Sequence, residues 1–282
     1  MLTPAILVLC GVLLYPAFIA VQSSFYRIRT VTREETFVGL ENYRDLLTDS
    51  DFWATLWRTI VWVGGAMSTQ MVFGIAVALV LHKKFKGRPA VRGMVLFPFL
   101  VPAVIAVLAW RWIFSDTVGI ANYLLVDVLH VFDRPINWFA PEWAMVSVVV
   151  MSLWKYLPYW ALFVLARLQT LPPELEEAAA VDGANAFQRF RHVTWPWISP
   201  VVMVLLILRT IWAFNEFDMT YLPLHGGPLE MTTTMPVYVR HIAFEIGNMG
   251  AAAAVAMAMI VIAAILTNLY MFLYRWAERQ LE

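Results

Sequence analysis

An all-α membrane protein with six transmembrane helices is the fold class the sequence predicts, on two observations. Hydrophobic residues make up 61% of the 282 and charged residues only 14%, against roughly 45–50% and 25% in soluble domains. Apolar stretches long enough for a hydrocarbon core, which needs roughly 20 such residues, recur near residues 2–22, 57–81, 93–114, 143–166, 197–222 and 248–274. The chain therefore reads as a single transmembrane domain over 1–282, with one polar loop, 167–196, standing apart from the apolar body.

Twenty basic and twenty acidic residues cancel, so no net field points to nucleic acid as a partner. Cys10 is the only cysteine, which excludes an internal disulfide and any cysteine-based metal cluster. It follows Leu7-Val8-Leu9 and lacks the small preceding residue of a lipoprotein signal, so it reads as a thiol within a membrane helix. The stretch Leu2 to Ala20 has neither a positive flank nor a small-residue cleavage site, and reads as a first span rather than a cleaved signal peptide.

The second span carries Gly64 with Ser68 and Gly74 with Ala78, and the sixth carries Ala252 with Ala256. Small residues four apart let helices approach closely, which suits a bundle. In the third span, Pro98 and Pro102 free backbone carbonyls, so bends are expected there, with neighbouring helices satisfying those groups. The fourth contains Trp154, Lys155, Tyr156, Tyr159 and Trp160, and the fifth contains Arg209 near its middle, with Glu216 and Asp218 towards its outer end. Arg209 and Glu216, seven apart, share a helix face on this reading; about 10 Å of rise makes a direct pair unfavourable.

Orientation follows from Lys and Arg in the short loops. Lys83, Lys84, Lys86, Arg88 and Arg92 crowd one loop without an acid, and Arg167, Arg189, Arg191, Arg275 and Arg279 fall on the same side. Arg27, Arg29, Arg33, Arg44, Arg134 and Arg240 are spread over longer, more acidic loops on the other. The loop 167–196 and both termini are thus expected on the cytoplasmic side. Nothing basic precedes the first span, and Arg27 with Arg29 lies just outside it, which disagrees with that pattern.

Within this loop the run Leu171 to Pro196 is LPPELEEAAAVDGANAFQRFRHVTWP. Pro172 and Pro173 suit a first helical turn, Glu174, Glu176 and Glu177 complement the macrodipole, and Ala178 to Ala180 favour helix. Gly183 ends a helix of about ten residues, roughly 15 Å long. A second short helix fits 184–193, with Phe187 and Phe190 on one face, and Pro196 opens the next apolar segment.

Glu177-Ala178-Ala179, Gly183 and Val193-Thr194-Trp195-Pro196 follow the spacing EAA-x3-G-x9-I-x-L-P. This pattern resembles the EAA loop of membrane permease subunits of binding-protein-dependent ABC importers, with Val193 and Trp195 in place of Ile and Leu. Phe37-Val38-Gly39-Leu40-Glu41-Asn42-Tyr43 is similar to an F-x-G-L-x-N-Y element of the carbohydrate-uptake, maltose-type group. Gly119-Ile120-Ala121-Asn122 with Trp138 adds to that similarity. So do Phe217-Asp218, Gly226-Gly227-Pro228, Val237-Tyr238 and Ala243-Phe244, in the family's order. Each of these also has a plain reading: Gly-Gly-Pro is a turn wherever it occurs.

The resemblance implies a transport subunit of six helices, with a cytoplasmic coupling helix that docks on an ATPase. Glu177, Ala178, Ala179, Gly183, Arg189 and Pro196 are the coupling residues, Glu177 for a charged contact and Gly183 for the turn between two short helices. It implies as partners a second homologous permease, an ATPase dimer holding ATP and Mg, an extracytoplasmic solute-binding protein, membrane lipid and a carbohydrate. It places the chain in a bacterial or archaeal cytoplasmic membrane and suggests that a cytoplasmic leader is missing before Met1.

No enzyme constellation accompanies this: there is no G-x-x-x-x-G-K-[ST] and no H-E-x-x-H, so ATP chemistry and cofactors fall to another chain. Trp154, Tyr159 and Trp160 could offer aromatic faces to sugar rings, or form an interfacial belt with a snorkelling Lys155. Asn215, Glu216 and Asp218 could approach the substrate path, with Arg209 at a subunit interface, or could rest in the outer headgroups. Among functions, the alternatives are import of another solute (polyol, glycerol phosphate, amino acid or peptide), an ion-coupled secondary transporter, and a channel or scaffold.

Overall fold

The computed structural model describes residues 10–30 and 34–278. Residues 2–9 of the expected first span, Arg33, Arg279 and any leader before Met1 lie outside the described residues. Helices α1 (Tyr15–Ser24), α2 (Glu41–Thr48), α3 (Ser50–His82), α4 (Arg88–Leu100), α5 (Ala103–Ile113), α6 (Pro141–Leu168), α7 (Pro173–Val181), α8 (Ala186–Phe214), α9 (Asp218–Tyr221), α10 (Met235–Arg240) and α11 (Met249–Glu278) carry the chain, with one hairpin, β1 (Tyr26–Arg29) and β2 (Glu34–Phe37). The described chain is mostly helical. Among the described residues, α3, α6, α8 and α11 are long and apolar enough to cross a membrane, and α4 with α5 makes a fifth if the bent pair is one span.

The chain divides into two compact units, 1–60 with 233–282, and 61–232. In the first, α11 packs along α1 and against α2 and β1. Antiparallel pairing sets Tyr26 opposite Phe37 and Arg29 opposite Glu34. The buried Asn42 amide fastens the hairpin by donating to the carbonyls of Ser24 at 2.8 Å and Tyr26 at 2.9 Å, and the Tyr43 hydroxyl lies 2.6 Å from that of Ser24. Asn42 and Tyr43 thus have a structural reason to follow Gly39-Leu40. Thr59 Oγ1 accepts from the Met235 N–H at 2.9 Å, and Tyr238 donates to Asp49 Oδ2 at 2.8 Å, so the later segment of this unit is tied to the earlier one.

The second unit has an apolar core of Trp62, Ala66, Val148, Trp160, Val164, Leu168, Ile198 and Val202. Gly74 sits directly against Trp160 Cβ, where a side chain on residue 74 would collide. That close approach of α3 and α6 is what the small pair Gly74 and Ala78 predicts, while Gly64 faces open space.

Four expected boundaries are corrected. The third span, expected over 93–114 with bends, breaks into two helices at an angle of 102°. Val101 is extended (ψ 128°), because the ring of Pro102 pushes the preceding residue out of the helical region. The second short helix does not stop at 193, and Pro196 opens no separate segment: α8 runs unbroken from Ala186 to Phe214. A π-helical turn at Phe190–Thr194 lies just before Pro196, where the missing N–H of Pro196 perturbs the regular ladder. The fifth span, expected to 222, ends at Phe214; Asn215 closes it with its side-chain amide on the Ile211 carbonyl at 2.9 Å, and α9 starts afresh at Asp218. The second span begins at Ser50, seven residues before its expected start.

Candidate functional site

The polar loop is built as a short rod with fixed ends. Pro172 caps α7, Pro173 is its first residue, and Glu174 and Glu176 fill its first turn. The far end closes as a Schellman motif: the Gly183 N–H bonds the Ala180 carbonyl at 3.1 Å and the Ala184 N–H that of Ala179 at 3.0 Å. Gly183 has φ +79°, which is why glycine suits the position. Asn185 then caps α8 with a capping box, accepting from Gln188 N–H at 2.9 Å while its own N–H donates to Gln188 Oε1 at 2.8 Å. That N-x-x-Q signal was legible and places the helix start at Ala186 rather than 184.

Glu177, Ala178, Gly183 and Pro196 are exposed, and Ala179 and Arg189 half-buried. Between α7 and the start of α8 runs a groove of about 350 Å³ lined by Ala179, Asp182, Gly183, Gln188, Arg189 and His192. Leu175, Val181 (88% exposed) and Phe187 present apolar surface beside the acids. The rod is anchored at its base. Arg167 at the end of α6 stacks over Trp197, 4.5 Å from the ring centroid, and its Nε donates to the Trp197 carbonyl at 3.0 Å, while Trp197 Nε1 returns a bond to the Arg167 carbonyl at 3.3 Å. Trp197 escaped the sequence reading because an aromatic residue at a helix start carries no signature of its partner.

A second polar group lies inside the unit 61–232. The Tyr156 hydroxyl donates to Glu216 Oε2 at 2.8 Å, and the Arg209 guanidinium lies 4.1 Å from the Tyr156 ring centroid. Arg209 Nη2 donates to Gln70 Oε1 at 3.3 Å, and Gln70 Nε2 to Ser152 Oγ at 2.9 Å. Arg209 is 3% exposed and packed within this chain, which corrects its expected place at a subunit interface. Glu216, past the end of α8, does not share a helix face with it; Tyr156 joins the two. Gln70, a lone amide in an apolar run, was a signal that could have been read.

Of the expected path residues, Asn215 and Asp218 are exposed, Glu216, Trp154 and Tyr159 half-buried. Tyr159 meets Phe163 and Trp212 at centroid distances of 4.8 and 5.6 Å. Trp160 is fully buried in the core, so the structure corrects its expected position on a sugar-facing surface: its ring fills the space beside Gly74. Lys155 does not snorkel. It is 8% exposed and donates to the carbonyls of Phe99 (3.2 Å) and Val101, the groups freed where the third span breaks.

Outside the bundle, Asn122 organises the loop between α5 and α6. Its Oδ1 accepts from Ile136 N–H at 3.0 Å and Trp138 Nε1 at 3.1 Å, and its amide donates to the Ile136 carbonyl at 2.9 Å.

Several long apolar helices and a bent pair, with an anchored polar rod, are the build of a multi-pass membrane protein. The chain belongs to the family of binding-protein-dependent transport system inner membrane components, matched over residues 70–282. It is 38% identical over 267 residues to an inner membrane ABC transporter permease protein, YcjO, of Escherichia coli, covering 93% of this chain and 88% of that one. It is 33% identical to the trehalose/maltose transport system permease protein MalF of Thermococcus litoralis, covering 96% and 91%. Its fold matches, with a TM-score of 0.83 at 23% identity and coverage of 98% and 93%, a chain of a bacterial ABC transporter involved in the import of the acidic polysaccharide alginate.

Proposed function

We propose that this chain is one of two permease subunits of an ATP-driven importer that moves a carbohydrate across the cytoplasmic membrane, with six spans, both termini and the loop 167–196 on the cytoplasmic side. The observation that carries the reading, beside family membership, is the anchored rod. Its helix α7 ends in a Schellman turn at Gly183, and α8 then runs without a break into a membrane-length helix. A push on α7 therefore reaches the membrane segment through the backbone of one helix and through the Arg167–Trp197 clamp. The acids and exposed apolar side chains of α7 suit docking on a protein surface, here an ATPase dimer that binds ATP and Mg, with Glu177 as the charged contact. An extracytoplasmic binding protein delivers the solute.

Carbohydrate is favoured by the trehalose/maltose relative and by sugar-compatible chemistry: Trp154 and Tyr159 offer aromatic faces, and Tyr156, Asn215, Glu216 and Asp218 offer hydroxyl, amide and carboxylate groups. Arg209, itself held by Gln70, packs on the Tyr156 ring, and Tyr156 donates to Glu216. Reconstituting the purified complex with its binding protein in proteoliposomes tests this. ATP-dependent uptake of a labelled mono-, di- or oligosaccharide is expected. Uptake only of amino acids, peptides or polyols rejects the carbohydrate assignment, and uptake driven by an ion gradient without ATP rejects the importer.

A further inference from the structure

A cavity of about 210 Å³ opens between α4 and α6. Its walls are mostly apolar, including Val95, Leu96, Leu162 and Leu165, and Arg92 is the one charged residue among them. Leu162 and Ala166 at its edge are exposed, so the mouth faces outward from the bundle. Pockets that enclose a whole drug-sized ligand run roughly 300–1,000 Å³. This one takes only part of a larger molecule.

Arg92 is half-buried in the lining; its Nε and Nη2 are covered by protein and have no hydrogen-bond partner among the described residues, so a ligand in the cavity meets the rest of the side chain and reaches these nitrogens only when it turns. Arginine carries five donors in a planar fork and keeps its charge, so an occluded guanidinium without an acceptor is unfavourable. A phosphate diester is an acceptor that matches the fork. Leu81 at the last turn of α3, Arg92 in the second turn of α4 and Gln169 just past α6 all border the cavity, which puts it at the end of the bundle that carries α7. That is where helices end and lipid headgroups begin. The adjoining segment supplies Lys83, Lys84, Lys86 and Arg88 with no acid from His82 to Arg92, a charge pattern that attracts anionic over zwitterionic lipid.

We propose that this cavity is a binding site for an anionic phospholipid, with the phosphate on Arg92 and an acyl chain along Val95, Leu96, Leu162 and Leu165. The site lies on the face of the unit that meets the bilayer, and it stands whether or not the cargo is a carbohydrate. Apolar walls with a single cationic group among them fit a two-part ligand, and no soluble anion would use the walls.

The test is native mass spectrometry of the assembled complex, extracted in mild detergent and offered phosphatidylglycerol or phosphatidylcholine of equal chain length. Wild type is expected to retain phosphatidylglycerol about tenfold better. Arg92→Gln should reduce retention to the phosphatidylcholine level, and Arg92→Lys, which keeps the charge without the fork, to an intermediate one. Ala166→Trp, which fills the mouth and leaves every charge in place, should lose it too. Lys84→Gln removes one exposed charge of the adjoining segment, outside the cavity, and should lower retention far less than Arg92→Gln does. Equal losses in Arg92→Gln and Lys84→Gln would reduce the effect to general surface charge and overturn the site. So would retention surviving Ala166→Trp, or displacement by glycerophosphoglycerol, the chain-free headgroup, as effective as displacement by intact lipid.

Discussion

Replacing Lys155 by Met probes the link between a buried charge and the broken span. Met is similar in volume but cannot donate, so the carbonyls of Phe99 and Val101 lose their donor at the 102° break. Each acceptor left unpaired costs about 1–3 kcal/mol, and lipid offers no replacement as water would. Two carbonyls give about 2–6 kcal/mol, from which relief of a buried ammonium subtracts, leaving about 3 kcal/mol. At roughly 2–4 °C per kcal/mol this is a fall of about 6–12 °C in melting temperature. The assay is thermal unfolding of the purified complex in nanodiscs, with Lys155→Arg as the donor-retaining control. If Lys155→Met melts with wild type, the lysine does not hold the break, and the reasoning is refuted.

Three further outcomes follow from the same geometry. Glu177→Lys should abolish transport while the subunit still inserts and joins the complex, checked by uptake in proteoliposomes beside a pull-down; full transport would remove Glu177 from the coupling contact. Gly183→Val places a β-branched residue at φ +79°, a strain of about 1–3 kcal/mol. It should lower stimulated ATP hydrolysis with little change in membrane insertion, whereas unchanged stimulation would show that the turn does not set the lever. Asn122→Leu removes three hydrogen bonds to Ile136 and Trp138, about 1 kcal/mol each. It should make the 123–138 loop more protease-sensitive, an effect that limited proteolysis of sealed vesicles, the loop facing the enzyme, would reveal.

How far the sequence foretold this depends on the kind of signal. Runs of apolar residues located α6 and α11 to within a few residues and the end of α3 to one, because transfer from water sets the composition of the membrane-facing length; the first turns of α3, Ser50 to Leu56, fall outside that run. The rod was also legible: prolines at its start, alanines within and Gly183 at its end are local backbone chemistry. Direction and endings were not. Apolar residues resume after Asn215-Glu216 and run on to Leu222, so 197–222 reads as one segment, yet the helix stops at Phe214, where the Asn215 side chain caps it and Glu216 reaches Tyr156. Pro196 reads as a boundary in sequence, but a π-helical turn absorbs its missing N–H. Trp154 and Trp160 looked alike as aromatics; six residues apart at about 100° each, they are about 120° apart around the helix, and only packing against Gly74 decides which is core. Lys155 could be placed in an apolar span from sequence, but its carbonyl partners, Phe99 and Val101, lie at the break between α4 and α5.

The coupling claim is tested most directly by covalent capture. In a Cys10→Ser background, Val181→Cys puts a thiol at the 88%-exposed end of α7, and Thr117→Cys places one on the loop after α5. A bifunctional thiol-to-amine reagent is applied to the complex in native membranes, and adducts are identified by mass. The account predicts an adduct between position 181 and an ATPase subunit, altered by ATP, and none from position 117. No ATPase adduct from 181, or equal capture from both positions, would contradict it.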